Sequence, residues 1–124
     1  MAVTRHTGSQ KDALESAVDL TGKEFFLATI DGNGRVNLAG AGGRVVGVIN
    51  EGKKVGLHSS FHTGNQLKAV AGAAINEGDK LASDAAGKVK VAAGGQFVFG
   101  TAKSAAANGE LVEFYMDQEG AQAA

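Results

Sequence analysis

Reactive side chains concentrate in one short stretch, His58-Ser59-Ser60-Phe61-His62. Two histidines four residues apart on a continuous strand share one side, and with His6 they are the chain's three imidazoles. Three such ligands suit a transition metal. No carboxylate lies near them in sequence, and Gly64 points to a loop, so the plainer reading is solvent-exposed or loop-packing histidines. Ser59 and Ser60 beside His58 have the residue types of a hydrolase. A triad also needs a positioned acid and an oxyanion hole, and no Gly-x-Ser-x-Gly elbow is present. Asp31-Gly-Asn-Gly34 resembles part of a calcium loop, but in that register Thr29 and Gly40 fall where acidic ligands are required. The glycines at 40, 42, 43 and 47 match neither a phosphate loop nor a dinucleotide fingerprint. Turns and close strand crossings account for the aspartate and glycine motifs without a bound group, and no cofactor or metal is expected.

Composition narrows the function classes further. The 124 residues carry 12 basic and 13 acidic side chains, a formal net charge of −1, with neither sign concentrated. Nucleic acid and anionic membranes both require a basic face, so neither is expected as a partner. There is no cysteine, hence no disulfide framework and no cysteine zinc site. No apolar run of signal-peptide or membrane-spanning length occurs. The expectation is a soluble chain made and kept in the cytoplasm, or passed on without the general secretory signal. The length fits one domain. With 19 glycines, no proline and 6% aromatic residues, its core is lean, and association is expected to supply part of its stability.

The elements that must position these residues are short strands. In Ala71 to Val91, Asn76-Glu-Gly-Asp79 is a turn, Lys80 to Ser83 a strand, and Asp84-Ala-Ala-Gly87 a second turn. Lys88-Val-Lys-Val91 then alternates with period two. Gly78 and Gly87 stand where the chain needs positive φ. Upstream, Phe25 to Ile30, the turn Asp31 to Gly34, and Arg35 to Leu38 read as a hairpin. Further strands are expected at 44–49, 54–57, 66–71, 96–102 and 111–116. Many short strands at this spacing indicate an all-β barrel or sandwich.

The chain also repeats itself. Gly34-Arg-Val-Asn-Leu-Ala-Gly-Ala-Gly-Gly-Arg-Val-Val-Gly47 reads against Gly87-Lys-Val-Lys-Val-Ala-Ala-Gly-Gly-Gln-Phe-Val-Phe-Gly100 at an offset of 53, with a one-residue gap at the Gly-Gly pairs. Two copies are too few for a solenoid and suit one body with two similar halves.

Three segments follow: an N-terminal arm over 1–21, a β-barrel-like domain over 22–117 and a flexible tail over 118–124. The arm is polar with sparse apolar positions. Leu14 and Val18 share a helical face, so a short helix over 11–18 competes with a mobile tail that orders on a partner.

Asp19-Leu-Thr-Gly-Lys23, Arg44-Val-Val-Gly-Val48, Ala71 to Lys80 with Asp84-Ala-Ala-Gly-Lys88, Phe99-Gly-Thr-Ala102 and Leu111 to Phe114 resemble the capsid cement, or head decoration, proteins of tailed bacteriophages over roughly residues 19–116. The resemblance departs at His58 to Asn65, which is longer and more polar, and in the first 18 residues, which have no counterpart. It implies a β-tulip-like barrel, a homotrimer and a non-enzymatic role on the outer capsid surface of a virion. The major capsid protein would be its partner at local threefold positions. On that reading Val3, Thr4, Arg5, His6, Leu14 and Val18 of the arm are the capsid-binding candidates. A small carbohydrate- or peptide-binding β module is the alternative, and an enzyme of unrecognised type a third. A binding module needs clustered exposed aromatics or convergent polar groups, whereas Tyr115 and the six phenylalanines fall mostly within strand patterns.

Overall fold

The computed structural model describes residues 9–116, and every regular element among them is a strand. In chain order these are β1 (Ser9–Glu15), β2 (Leu27–Ile30), β3 (Val36–Leu38), β4 (Gly47–Glu51) and β5 (His58–Gly64), followed by β6 (Gln66–Val70), β7 (Lys80–Ser83), β8 (Val89–Val91), β9 (Gly100–Ala102) and β10 (Leu111–Met116). They form two five-stranded antiparallel sheets of order β1-β5-β4-β2-β3 and β6-β10-β9-β7-β8. The second order is the first with every strand number raised by five, so the repeat in the sequence is a repeat of topology. The fold is all-β.

The equivalence holds bond by bond. Strands β2, β3, β4 and β5 each begin 53 residues before β7, β8, β9 and β10. Asp31 N–H donates to the Arg35 carbonyl and Asp84 N–H to that of Lys88, both at 2.8 Å. The turns Gly40–Gly43 (3.0 Å) and Ala93–Gln96 (3.2 Å) keep the same offset. The gap inferred at the Gly-Gly pairs is therefore unnecessary, because Gly42, at φ +64, corresponds to Gly95, at φ +84. Just past β1 and β6, Ser16 N–H donates to the Leu57 carbonyl as Ala71 N–H donates to that of Glu110. Parallel bridges Ser16–Val36 and Ala71–Val89 then bring the outer strands of each sheet together. Each sheet thus curls toward closure, which shelters its edges.

Local chemistry explains the hairpins. The Asp31 carboxylate accepts N–H bonds from Asn33 (2.9 Å) and Arg35 (3.0 Å), and Asp84 does the same for Ala86 (2.8 Å) and Lys88 (2.9 Å). Strands β4 and β9 each begin on a glycine because a Cβ there would strike the facing carbonyl, that of His62 or of Tyr115.

Two expectations change. Residues 11–18 are not helical: β1 pairs along its whole length with β5, from Ser9 opposite Gly64 to Glu15 opposite His58. The stretch from 58 to 64, read as a loop, is a seven-residue strand, while 54–57, read as a strand, is the loop before it. In β5, Ser59 and Phe61 point inward, and a buried serine carries no hydrophobic signal. Within the expected arm, residues 9–15 thus belong to the first sheet, and Leu20 is fully buried. Of the expected arm, residues 1–8 lie outside the described residues, as does the expected tail over 118–124.

One apolar cluster spans both halves: Leu27, Val45 and Val48 of the first join Leu67, Ile75, Leu81, Phe99 and Phe114 of the second. Phe99 and Phe114 meet edge to face at 5.1 Å. A second cluster, Leu20, Ala28, Val36, Ile49 and Phe61, lies within the first half. Backbone bonds stitch the halves together: Leu27 N–H to Gly87 (2.7 Å), Gly42 N–H to Ser83 (2.8 Å) and Val70 N–H to Phe25 (2.9 Å). The ammonium groups of Lys23 and Lys88, one from each half, lie 5.1 and 5.6 Å from the Phe26 ring centroid.

Candidate functional site

The structure disperses the reactive stretch into structural roles. His58 is exposed at the start of β5. His62 Nε2 shares a 3.0 Å hydrogen bond with Asn50 Oδ1, and Asn50 Nδ2 donates to Ser60 Oγ at 3.0 Å. Ser59 is fully buried against Ser16, their hydroxyl oxygens 2.6 Å apart. The single hydroxyl proton of Ser16 goes to the Leu57 carbonyl (2.7 Å), so Ser59 is the donor between the two. Ser59 Oγ in turn accepts the Lys53 N–H at 2.8 Å. No imidazole enters this network. Among the described residues, no group of three or more His, Cys, Asp or Glu side chains is placed to hold a metal ion.

Of the candidate contact residues, Val3, Thr4, Arg5 and His6 lie outside the described residues. Leu14, on β1, packs partly buried against the first half's own cluster. Val18 is 38% exposed. The described chain begins and ends at one corner. Ser9 opposes Gly64, and Met116 N–H donates to the Asn65 carbonyl at 2.8 Å. Ser9 and Met116 therefore stand on either side of the β5–β6 connection.

Exposed apolar surface marks the two ends of the β4–β5 hairpin. At its tip, Val55 and Leu57 are 58% and 55% exposed. Residues 16–20 run alongside: Leu20 N–H donates to Lys53, Ser16 N–H to Leu57 and Gly56 N–H to Ser16 (2.9, 2.8 and 3.2 Å). Val18 is thereby held at the same end. The buried serines brace this tip from beneath. Beside it the Asp19 carboxyl lies below the usual carboxylate range, chiefly because the Thr21 hydroxyl and then its N–H donate to it, with Lys54 and Lys23 adding to the effect. The matching places in the second half are Ala73, Asn108 and Glu110, with Leu111, the counterpart of His58, 43% exposed beside them.

At the hairpin's base lies a groove of about 420 Å³ between the halves. Phe25, Val48 and His62 line it from the first half, and Leu67, Lys68 and Glu113 from the second. Lys68 and Glu113 are cross-strand partners whose charged atoms stand 4.0 Å apart on its rim. Phe25, 41% exposed, is the one non-glycine residue among those described at positive φ, +69. Neither tip nor groove was found by sequence reasoning, although one signal was available. Aligning the halves at the 53-residue offset sets Val55 against Asn108 and Phe25 against Gly78.

Comparison with known proteins gives the chain a family and a fold. The profile of the phage cement protein family matches residues 19–116. No curated protein matches the chain. Among solved structures, the N base of the head fiber gp8.5 of bacteriophage phi29 is similar, with a TM-score of 0.71 at 15% identity. The match covers 94% of this chain and 99% of that one. At this identity the likeness is one of fold. The family match runs from Asp19 to the end of β10, and the chain belongs to the phage cement protein family.

Proposed function

We propose that this protein is a structural component of a phage virion, a cement protein that binds the outer face of the capsid and stiffens it. The family match over residues 19–116 carries this reading. The structure supports it through what the polar side chains do: Ser16, Ser59, His62 and the turn aspartates are engaged in holding strands and loops. The partner is the major capsid protein, met at local threefold positions by a homotrimer assembled after synthesis in the host cytoplasm.

Three copies bound together convert weak single contacts into a firm one, because each contact raises the effective concentration for the next. Residues 1–8, with Val3, Thr4, Arg5 and His6, reach the shell from the Asn65 corner. Eight extended residues span at most about 28 Å, enough to lie along an exposed sheet edge of the shell and bond to it through the main chain. Val18 contributes from the body, while Leu14 is engaged in packing.

The test is co-sedimentation of the purified protein with undecorated shells. Saturable binding in multiples of three per local threefold position is expected. Absence of binding by the full-length protein at micromolar concentration would overturn the reading, and loss of binding on removing residues 2–8 would locate the contact in the arm.

A further inference from the structure

Strand β6 follows β5 after a single residue, Asn65, and the pairing changes hands there. Ser9 of β1 opposes Gly64, while Met116 of β10 donates its N–H to the Asn65 carbonyl at 2.8 Å. The ladder of β1 therefore stops at Gly64, because the next residue is already held by β10. On its other side β6 is open. The bonds Met116 N–H to Asn65 and Ala71 N–H to Glu110 show that the odd-numbered residues of this strand turn their main chain toward β10. In an antiparallel ladder the residues between them point the opposite way. The N–H and C=O of Gln66 and of Lys68 accordingly face away from β10, and no described residue bonds to them there. Val70, next in that series, has a partner, since its N–H donates to the Phe25 carbonyl at 2.9 Å. Unpaired main-chain donors and acceptors thus run along the groove from the Gly64 corner to Phe25, above an apolar lining of Phe25, Val48 and Leu67. An edge of this kind accepts an extended segment.

We propose that residues 2–7 of the chain's own amino-terminal segment add to this edge, antiparallel to β6, with Val3 in the groove beside Phe25. The place where the segment begins selects it. Ser9 stands opposite Gly64, and the open edge starts two residues further on, at Gln66. Gly64 and Gly8 carry no side chain to obstruct the passage. Length agrees as well. Val3 lies six residues before Ser9, and Val70, which bonds to Phe25, lies six residues after Gly64. At the rise of a strand both stretches cover about 20 Å. Ala2-Val-Thr-Arg-His-Thr7 has no glycine or proline and is rich in β-branched residues, which suits a strand. The carboxy-terminal segment leaves from the same corner, but its only apolar residues are alanines. Lys68 and Glu113 balance each other on the rim, so main-chain pairing and the apolar lining choose the occupant. Residues 1–8 are also the segment assigned above to the shell, and one segment cannot serve both. The groove then holds the arm in the free protein and shell binding draws it out, a step that rests on the cement reading.

Amide hydrogen exchange, followed residue by residue by NMR on the free full-length protein, tests the seat. The Gln66 and Lys68 amides should exchange about threefold more slowly than in a protein lacking residues 2–8. Those of Leu67 and Ala69, which bond to β10, should not change. The protection should be independent of protein concentration. Val3→Asp sets a charge against the apolar lining and should bring both amides to the rate of the truncated protein. Phe25→Gly, which copies Gly78, should do the same. With its arm released, Phe25→Gly should bind undecorated shells up to about threefold more tightly, because the share of free arms sets the apparent affinity. Equal exchange in the full-length and truncated proteins would overturn the proposal, as would protection that survives Val3→Asp. Protection lost on dilution would assign the edge to the arm of another copy and overturn it too. A Phe25→Gly protein that binds shells no more tightly than the parent would overturn the competition between groove and shell. The exchange measurements use no shells, so their failure leaves the cement role standing, and failure of shell binding leaves the seat standing.

Discussion

Phe25 and Gly78 occupy the same place in the two halves of the molecule, and both have positive φ, +69 and +84. Each donates its N–H over 2.9 Å to the carbonyl of the residue 24 positions on, Ile49 or Ala102. The second half meets this backbone geometry with the residue that has no Cβ. The first half meets it with a phenylalanine whose ring lines the groove between the halves. Left-handed backbone costs a non-glycine residue about 1–2 kcal/mol, which the surrounding bonds must offset.

Substitutions at these two positions should therefore act in opposite ways. Gly78→Val places a β-branched residue at φ +84 and is expected to lower stability by about 1–3 kcal/mol. Phe25→Gly relieves strain while giving up a partly exposed ring, and its melting temperature should stay within a few degrees of the parent. Thermal melting of the two variants decides. A loss of about 3–5 kcal/mol at Phe25, the size of a core aromatic truncation, would make that ring a core residue.

The buried Ser16–Ser59 pair stands where the second half has Ala71 and Val112, both fully buried. Ser59→Val alone removes the acceptor of the Lys53 N–H and the hydroxyl that donates to Ser16. Leaving buried polar groups without partners costs about 1–3 kcal/mol. The double change Ser16→Ala with Ser59→Val copies the apolar pair and should cost less than the two single changes added together. A double-mutant cycle by denaturant unfolding should show coupling of about 0.5–3 kcal/mol; strict additivity would mean the hydroxyls act independently.

Asp31 holds the first hairpin turn through its carboxylate. The N–H groups of Arg35 and then Asn33 bond to the charged form, with the Arg35 guanidinium 3.4 Å away, and its pKa is lowered. A depressed folded-state pKa contributes stability that is present above the ordinary carboxylate value of about 4 and fades as pH falls through the folded value. Carboxyl carbon chemical shifts followed through an acid titration should give Asp31 a midpoint below that of a free aspartate. Asp31→Ala should weaken the turn at neutral pH and flatten this part of the acid dependence.

Truncation separates arm from body. Removing residues 2–8 should leave the melting temperature nearly unchanged. Removing residues 2–15 deletes β1, strips β5 of its partner from His58 to Gly64, and takes Leu14 from the first half's cluster. That protein should melt far lower or fail to fold. Equal melting of the two truncations would mean that β1 contributes nothing to the body.

What the sequence determined by itself was local. The turns Asp31 to Gly34 and Asp84 to Gly87 were legible because an aspartate two to four residues ahead of the N–H groups it accepts, with a glycine closing the turn, is a complete unit within five residues. Strands β8 and β10 were legible because each alternates against one buried face, β7 because a turn brackets it on either side, and the repeat was legible because those units recur at a fixed offset. Tertiary structure decided the rest. Strand β5 carries two histidines, two serines and a threonine and is a strand only because β1 and β4 lie on either side of it. Ser16 and Ser59 are 43 residues apart, so no local pattern could show that their hydroxyls satisfy each other away from water. The exposure of Val55, Leu57 and Phe25 depended on which faces the two halves turned toward each other. Burial is a property of the assembled surfaces, and an apolar residue at a turn reads the same in sequence whether the fold covers it or leaves it bare.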